Sequence, residues 1–337
     1  MNGKPKKLIV GIGSALVDIL AHEDDHFVTR AGAVRGGMQL VDHGRIESLF
    51  SELSGGHKVV PGGSACNTVM GVGRLGGSAR FVGKCGDDEF GALFRETLSR
   101  HNIEPALFSS EKPTGRVLSI ITPDAQRSML TYLGASAETA PEEVETGCFE
   151  GASIVHVEGY LIFNRALLEK TLAAAKEAGA RVSLDLASHN VVADNRDYIK
   201  GLVADFVDIL IANEDEALAY TGTGNEDEAL SRLAEKTAVA ALKLGPRGSM
   251  IAARGEVIVI KARGDGSAVD TTGAGDLWAA GFLYGMALGL PLEKCGELGS
   301  ACGHEVCQVV GAAIPEEGWQ RIRSLLPELY DTTTHIV

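Results

Sequence analysis

The feature that most narrows the folds open to this chain is its alternation of short apolar runs with helical stretches. Leu8–Ile12, Ser153–Glu158, Arg181–Asp185, Val207–Ala212 and Ala238–Leu244 read as buried strands, and Arg165–Ala178 reads as a helix. Further helices are expected from about Asp215 and from about Glu226, and Ser249–Ala253 with Glu256–Ile260 reads as a hairpin turning at Arg254-Gly255. Alternation of this kind builds a mostly parallel sheet with helices on both faces, an α/β fold. Ligands in such sheets sit beyond the carboxyl ends of the strands, so chemistry is sought in the Gly-rich loops that follow them.

Two segments break the pattern. Residues from about Ala15 to Val60 hold broken strand-like pieces around Gly36-Gly37, and Thr114–Leu133 reads as a hairpin about Pro123-Asp124. Together they read as a small β lid over the sheet's edge, with a meandering surface excursion as the alternative. No Pro/Gly/Ser linker divides the chain. Residues 1–337 therefore read as one domain, with lid segments at about 15–60 and 114–133 inserted in it.

Composition excludes several classes of function. A net charge of −14 argues against a nucleic-acid partner, which needs clustered cations. The basic cluster Lys4, Lys6 and Lys7 reads as a solvated end. No apolar run reaches the roughly 20 residues that cross a bilayer, and the N-terminal stretch lacks a signal-peptide plan. The six cysteines have no scaffold-like spacing, so reduced thiols and a cytoplasmic location are expected. Cys302, His304 and Cys307 lie in an apolar helix-like stretch and read as packing in preference to a metal cluster.

The strongest chemical signal is Asp270-Thr271-Thr272-Gly273-Ala274-Gly275-Asp276, which runs into a helical Leu277–Leu288. Glycines at a helix N-terminus leave free N–H groups that form an anion pocket, with the helix dipole behind it. Asp276, in the first turn, can take a proton from a hydroxyl while those N–H groups hold a phosphoryl group beside it. A capping Asp after a Gly turn would explain Asp276 alone, but not the seven-residue run. Pro61-Gly62-Gly63-Ser64-Ala65-Cys66-Asn67 is a second Gly turn that opens a helix. Bare backbone there admits a polar ligand, and Asn67 offers both a donor and an acceptor.

Three weaker signals follow strands. Ser14 to Asp18 comes after the first, where a carboxylate can accept two hydrogen bonds from a vicinal diol or simply start a helix. Asn213-Glu214-Asp215-Glu216 suits a hydrated Mg²⁺ or an acidic first helical turn equally. Lys243-Leu244-Gly245-Pro246-Arg247-Gly248 can pass under a nucleotide or make a plain hairpin. One string is a decoy. Gly71-Val72-Gly73-Arg74-Leu75-Gly76 fits the dinucleotide pattern, but a helix precedes it and a strand, Arg80–Gly83, follows, the reverse of what that fingerprint needs.

Taken together, Gly62-Gly63…Asn67, Asn213-x-x-Glu216, Lys243-x-Gly245-x-x-Gly248 and Asp270–Asp276 resemble the motifs of the PfkB carbohydrate kinases, in the same order. The resemblance covers Ser14 to about Pro315. It implies a ribokinase-like fold and an ATP-dependent phosphotransferase. Asp276 would be the catalytic base, with Gly273, Ala274 and Gly275 as the anion hole. Ser14, Asp18, Gly62, Gly63, Asn67 and Glu158 would form the acceptor site. Asn213, Glu216, Lys243, Gly245, Gly248, Ser300 and His304 would bind ATP, Glu216 reaching Mg²⁺ through water. Asp270 and Thr272 would hold a monovalent cation such as K⁺, with backbone near Val306 and Gly311.

Within the family the chain looks most like the adenosine-kinase branch, through its long first lid segment and Gly36-Gly37-Met38-Gln39-Leu40-Val41-Asp42. The implied acceptor is the 5′-hydroxyl of a purine nucleoside, and a free sugar or keto-sugar acid is the alternative. Glu158 stands where sugar kinases place an acid. Met38, Leu40, Leu130, Tyr132, Tyr160 and Phe163 could enclose a base or form lid core. The implied partners are ATP and this acceptor, with no nucleic acid or membrane, and a monomer or homodimer as the assembly.

Overall fold

The apolar runs become strands. In this computed structural model, residues 7–124 and 126–326 are described, so Lys4 and Lys6 of the basic cluster lie outside the described residues. In chain order the strands are β1 (Leu8–Ile12), β2 (Leu16–His22), β3 (Met38–Leu40), β4 (His57–Gly62), β5 (Ala79–Gly86), β6 (Ile103–Ser110) and β7 (Gly115–Ile121). There follow β8 (Arg127–Tyr132), β9 (Ala152–Glu158), β10 (Arg181–Asp185), β11 (Ile209–Asn213), β12 (Val239–Lys243), β13 (Ser249–Ala253) and β14 (Glu256–Ile260). The helices are α1 (Asp25–Arg30), α2 (His43–Ser51), α3 (Ser64–Arg74), α4 (Glu89–Arg100), α5 (Arg165–Glu177) and α6 (His189–Phe206). They continue as α7 (Glu214–Thr221), α8 (Glu226–Leu233), α9 (Ala274–Leu288), α10 (Leu292–Val306) and α11 (Glu316–Ser324).

A nine-stranded sheet runs β14-β13-β12-β11-β10-β9-β1-β5-β6. It is parallel from β12 to β6, and the β12-β13-β14 edge is antiparallel. Its central strands are largely apolar because both of their faces are covered. In β11, Ile209 and Ile211 join the core under α3, α9 and α10, while Leu210 and Ala212 join the core under α5 to α8. This is the period-two division of a strand buried on both sides.

A five-stranded sheet, β3-β8-β7-β2-β4, takes its strands from the two segments that interrupt the alternation. One of its faces carries Ile19, Ala21, Leu118, Ile120 and Leu130, packed on Phe27, Val28, Ile46 and Leu49. Those last four belong to α1 and α2, so the first segment is not the all-strand piece its sequence implies. Asp24 and Asp42 accept hydrogen bonds from the N–H groups of Phe27 and Arg45, and these caps start helices that short polar sequences otherwise hide. A second correction concerns Val207, which ends α6 in place of opening β11. Among the described residues no helix is long and apolar enough to cross a membrane.

Candidate active site

Neighbouring parallel strands end level with one another. The register pairs Asp185 with Glu158 and Asn213 with Lys243, so β9 to β12 deliver four polar side chains to one edge of the sheet. Because Val182 and Leu184 pack on one face, alternation turns Ser183 and Asp185 to the other, the side of α9. Lys243 and Glu158 share that side by the same count.

Asp276 stands in the first turn of α9. Ser64 Oγ donates to its Oδ1 at 2.7 Å and Asn67 Nδ2 to its Oδ2 at 2.9 Å, while Thr68 Oγ1 donates to its backbone carbonyl at 3.1 Å. All three donors come from the start of α3. This approach depends on Gly71, where a Cβ would sit 2.5 Å from the Cβ of Ala280 in α9. The decoy glycine string is therefore helix-packing sequence. Burial raises the Asp276 pKa, and the Asn67 and Ser64 hydrogen bonds oppose the rise. The carboxylate is thus oriented and its basicity increased. In the turn before it, Ala274 N donates to Thr271 O at 3.1 Å, and Leu277 N makes the bond to Gly273 O at 2.8 Å. Ala274, expected to contribute to the anion hole, thus has its N–H engaged by the turn. The N–H groups of Gly275 and Asp276 precede the first intrahelical donor at the helix end, so the Asp276 N–H stands in for that of Ala274.

The residues expected to bind the acceptor gather beside Asp276. Asp18, on β2, is buried, and burial pushes its pKa up to about 6 against the attraction of Arg127. Gly62 lies so close that a Cβ there would be 2.5 Å from the Asp18 carboxyl carbon. Gly63 has φ 96°, and a Cβ on it would meet Ser14 O at 2.3 Å. Glu158 is used differently from its expected role. Its Oε1 accepts Ser14 N at 2.8 Å and its Oε2 accepts Ala65 N at 3.1 Å. It clasps the loop after β1 to the start of α3, and burial lifts its pKa to about 7.

On the other side of the α9 terminus lies a cleft of about 550 Å³. Asn213, Lys243, Gly245, Gly248, Thr271, Ala274, Gly275, Ser300 and His304 line it, together with Arg263 and Trp278, which the sequence did not single out. Ser300 also donates to Lys261 O at 3.2 Å, holding α10 to the loop after β14. Asn213 and Glu216 form a reciprocal cap of α7, with Glu216 Oε2 and Oε1 accepting Asn213 N and Nδ2, both at 2.8 Å. Burial moves the Glu216 pKa up to about 7. Lys243 Nζ donates to Asp185 Oδ2 at 2.8 Å.

Asp270 fastens the loop ahead of α9. Its Oδ1 accepts Thr272 N and Oγ1 at 2.9 and 2.8 Å, and its Oδ2 accepts Gly311 N at 2.8 Å. Arg127, from β8, hydrogen-bonds Thr272 Oγ1 and has Nη1 at 3.9 Å from Asp270 Oδ2.

Sequence reasoning missed Ser64, Thr68, Arg127 and Asp185. A signal existed for Asp185, a carboxylate ending an otherwise apolar alternating strand. Ser64 lay inside the second Gly motif but nothing there gave it a role, and no signal existed for Thr68 or Arg127; the partners of these three lie between 145 and 212 residues away.

These features agree with what the chain is similar to. The model of the pfkB family carbohydrate kinases matches residues 51–318. A fructokinase of Escherichia coli is 26% identical over 252 residues, 72% of this chain and 82% of that one. Among solved structures, a probable sugar kinase from Rhizobium etli superposes with a TM-score of 0.87 at 32% identity, covering 97% of this chain and all of the other. The adenosine kinase from Sinorhizobium meliloti gives 0.85 at 34% identity, covering 96% and 99%. With its motifs assembled around one helix terminus and a family match over most of its length, the chain belongs to the pfkB family of carbohydrate kinases and is an ATP-using enzyme of that kind.

Proposed function

We propose that this kinase passes the γ-phosphoryl group of ATP to the 5′-hydroxyl of a purine nucleoside. The observation that carries the reading is one face of the smaller sheet. The register runs Asp18, Val117, Thr131, Leu40 in a single row across β2, β7, β8 and β3, so all four share a face. Three strand spacings separate Asp18 from Leu40, about 14 Å, longer than a single sugar ring. At the far end Leu40 and Met38 are exposed at 63% and 48%. A carboxylate that can hold a ribose diol is thus followed by apolar surface that can cover a base. Tyr160 and Phe163 are exposed as well, whereas Leu130 and Tyr132 pack into the opposite face and are lid core. Glu158, the residue that told against nucleosides, has both oxygens engaged by backbone N–H groups. The likeness to the S. meliloti adenosine kinase supports the same reading.

In this mechanism Asp276, held by Ser64 and Asn67, accepts the proton of the hydroxyl as its oxygen attacks phosphorus and the bond to ADP breaks. The N–H groups of Gly275 and Asp276 take the charge that develops on the phosphoryl oxygens. Among the described residues no three carboxylate, His or Cys side chains make a metal cluster by themselves, so Mg²⁺ would be shared between the ATP phosphates and the carboxylates that act on Lys243, Asp185, Glu216 and Asp276. Glu216 would hold the ion through water, and the ion would offset phosphate charge. A monovalent cation fits poorly, because the Arg127 guanidinium is the positive group that faces Asp270 and Thr272. Six free cysteines suit a cytoplasmic enzyme.

A sugar acceptor is the second reading, favoured by the fructokinase relatives and by the R. etli protein. The test measures kcat/KM for adenosine, inosine, guanosine, ribose, fructose and 2-keto-3-deoxygluconate under one set of conditions. At least one nucleoside should lead the panel. A free sugar ahead of every nucleoside overturns the proposal.

A further inference from the structure

We infer that Lys243 binds the phosphoryl group being transferred, and that Asp185 is the positioning residue that holds its ammonium there. Lys243 ends β12 and lines the cleft together with Ala274 and Gly275. Its Nζ lies 3.0 Å from the place a Cβ on Gly275 would occupy. The ammonium therefore flanks the N–H groups that open the α9 helix, on the side where Gly275 offers no side chain to exclude a phosphoryl oxygen. An ammonium has three donors. Among the described residues, the hydrogen bond recorded for Lys243 is the one to Asp185 Oδ2 at 2.8 Å. The remaining donors are available to oxygens arriving from the cleft.

Asp185 is itself fixed. It ends β10 two strands from Lys243, and its Oδ1 accepts Ala187 N at 3.0 Å. Ala187 sits at φ 62°, so the turn that makes this contact is held in the left-handed region that a non-glycine residue seldom adopts. The Lys243 ammonium, ion-paired with the buried Asp185 carboxylate at 2.8 Å, keeps its proton through the step. The hydroxyl proton goes to Asp276. As the bond to ADP breaks, Lys243 stabilises the phosphoryl oxygens beside the Gly275 and Asp276 N–H groups.

The inference rests on phosphoryl transfer at the α9 terminus and not on the acceptor's identity, so its deciding measurement is made without an acceptor. Binding of ADP and of the non-hydrolysable AMP-PNP, both with Mg²⁺, is measured calorimetrically for wild type, K243M, K243R and D185N. K243M should weaken AMP-PNP by about tenfold or more while ADP stays within about threefold. Its kcat with the best acceptor should fall about 10²–10³-fold, the usual cost of one such donor. D185N should act in the same direction but less, K243R should keep part of the AMP-PNP preference, and the D185N/K243M double variant should be no worse than K243M. Equal losses for ADP and AMP-PNP in K243M would make Lys243 an anchor for the inner phosphates and overturn the inference. So would a D185N enzyme much weaker than K243M, since Asp185 would then be acting on its own. If K243M does not fold, D185N alone must still weaken AMP-PNP more than ADP.

Discussion

Asp276 illustrates what a residue can and cannot disclose before its neighbours are known. Its place after Gly273-Ala274-Gly275 at a helix start was enough to mark it as a candidate base, because few other demands require free N–H groups and a carboxylate within one turn. What orients it was not legible. Ser64, Asn67 and Thr68 lie more than 200 residues away in sequence and reach it through the α3–α9 contact at Gly71. The substitution D276N should lower kcat by about 10²–10⁴-fold while ATP and acceptor dissociation constants change little, since the amide keeps the shape but takes no proton. Steady-state kinetics with calorimetric binding checks both halves, and a near-normal kcat removes Asp276 from the role of base. Glu158 is the opposite case. Its type and position matched a substrate-binding acid, yet its oxygens are used to join Ser14 to Ala65. A one-dimensional motif cannot reveal which backbone N–H groups will face a buried carboxylate.

At the scale of elements, period-two runs were legible to within a residue or two. β1, β10, β13 and β14 have the limits their sequences imply, and the turn at Arg254-Gly255, both at positive φ, marks where β13 stops and β14 starts. The short helices α1 and α2 were hidden in a segment whose apolar residues are too few to show a helical period. The most consequential unread feature is a contact between elements: Arg127 carries a guanidinium from the smaller sheet to Thr272 and Asp270 in the loop ahead of α9. That loop resembles a monovalent-cation site, but its positive partner here is a side chain. Initial rates in KCl, NaCl and tetramethylammonium chloride at equal ionic strength should therefore agree within about twofold. In R127M the Asp270 charge loses its partner, and a preference for K⁺ over the bulky cation should appear. A wild-type enzyme several-fold faster in K⁺ would restore the cation reading.

Over the whole molecule, the fold puts its polar site into the seam between two apolar cores and a second sheet, and this has a consequence for stability. Burial raises Glu158 and Glu216 to about 7 from ordinary values near 4.5. A carboxyl group whose folded pKa exceeds its unfolded one binds its proton more tightly when folded. Its contribution grows as pH falls through the folded pKa and levels off below the unfolded pKa. Between pH 8 and 6.5 each group should add on the order of 1 kcal/mol. Asp18, raised to about 6, adds mainly below that window. His156 runs the other way. Buried against Ser183 and Thr68, it falls to about 4, so its contribution is full above 6.5 and is lost as pH drops toward 4. In the upper window the two glutamates act with little opposition. The ligand-free enzyme should accordingly melt a few degrees higher at pH 6.5 than at pH 8, the reverse of what ionised, paired surface carboxylates would produce. E158Q keeps an oxygen for one of the two N–H donors but has no proton to lose, so its melting temperature should change by roughly half as much across the same window. Calorimetry at a fixed scan rate in both buffers is the measurement. A wild-type enzyme more stable at pH 8, or an E158Q variant with an undiminished pH gap, would show that Glu158 is already ionised in the folded state, its two backbone donors outweighing its burial.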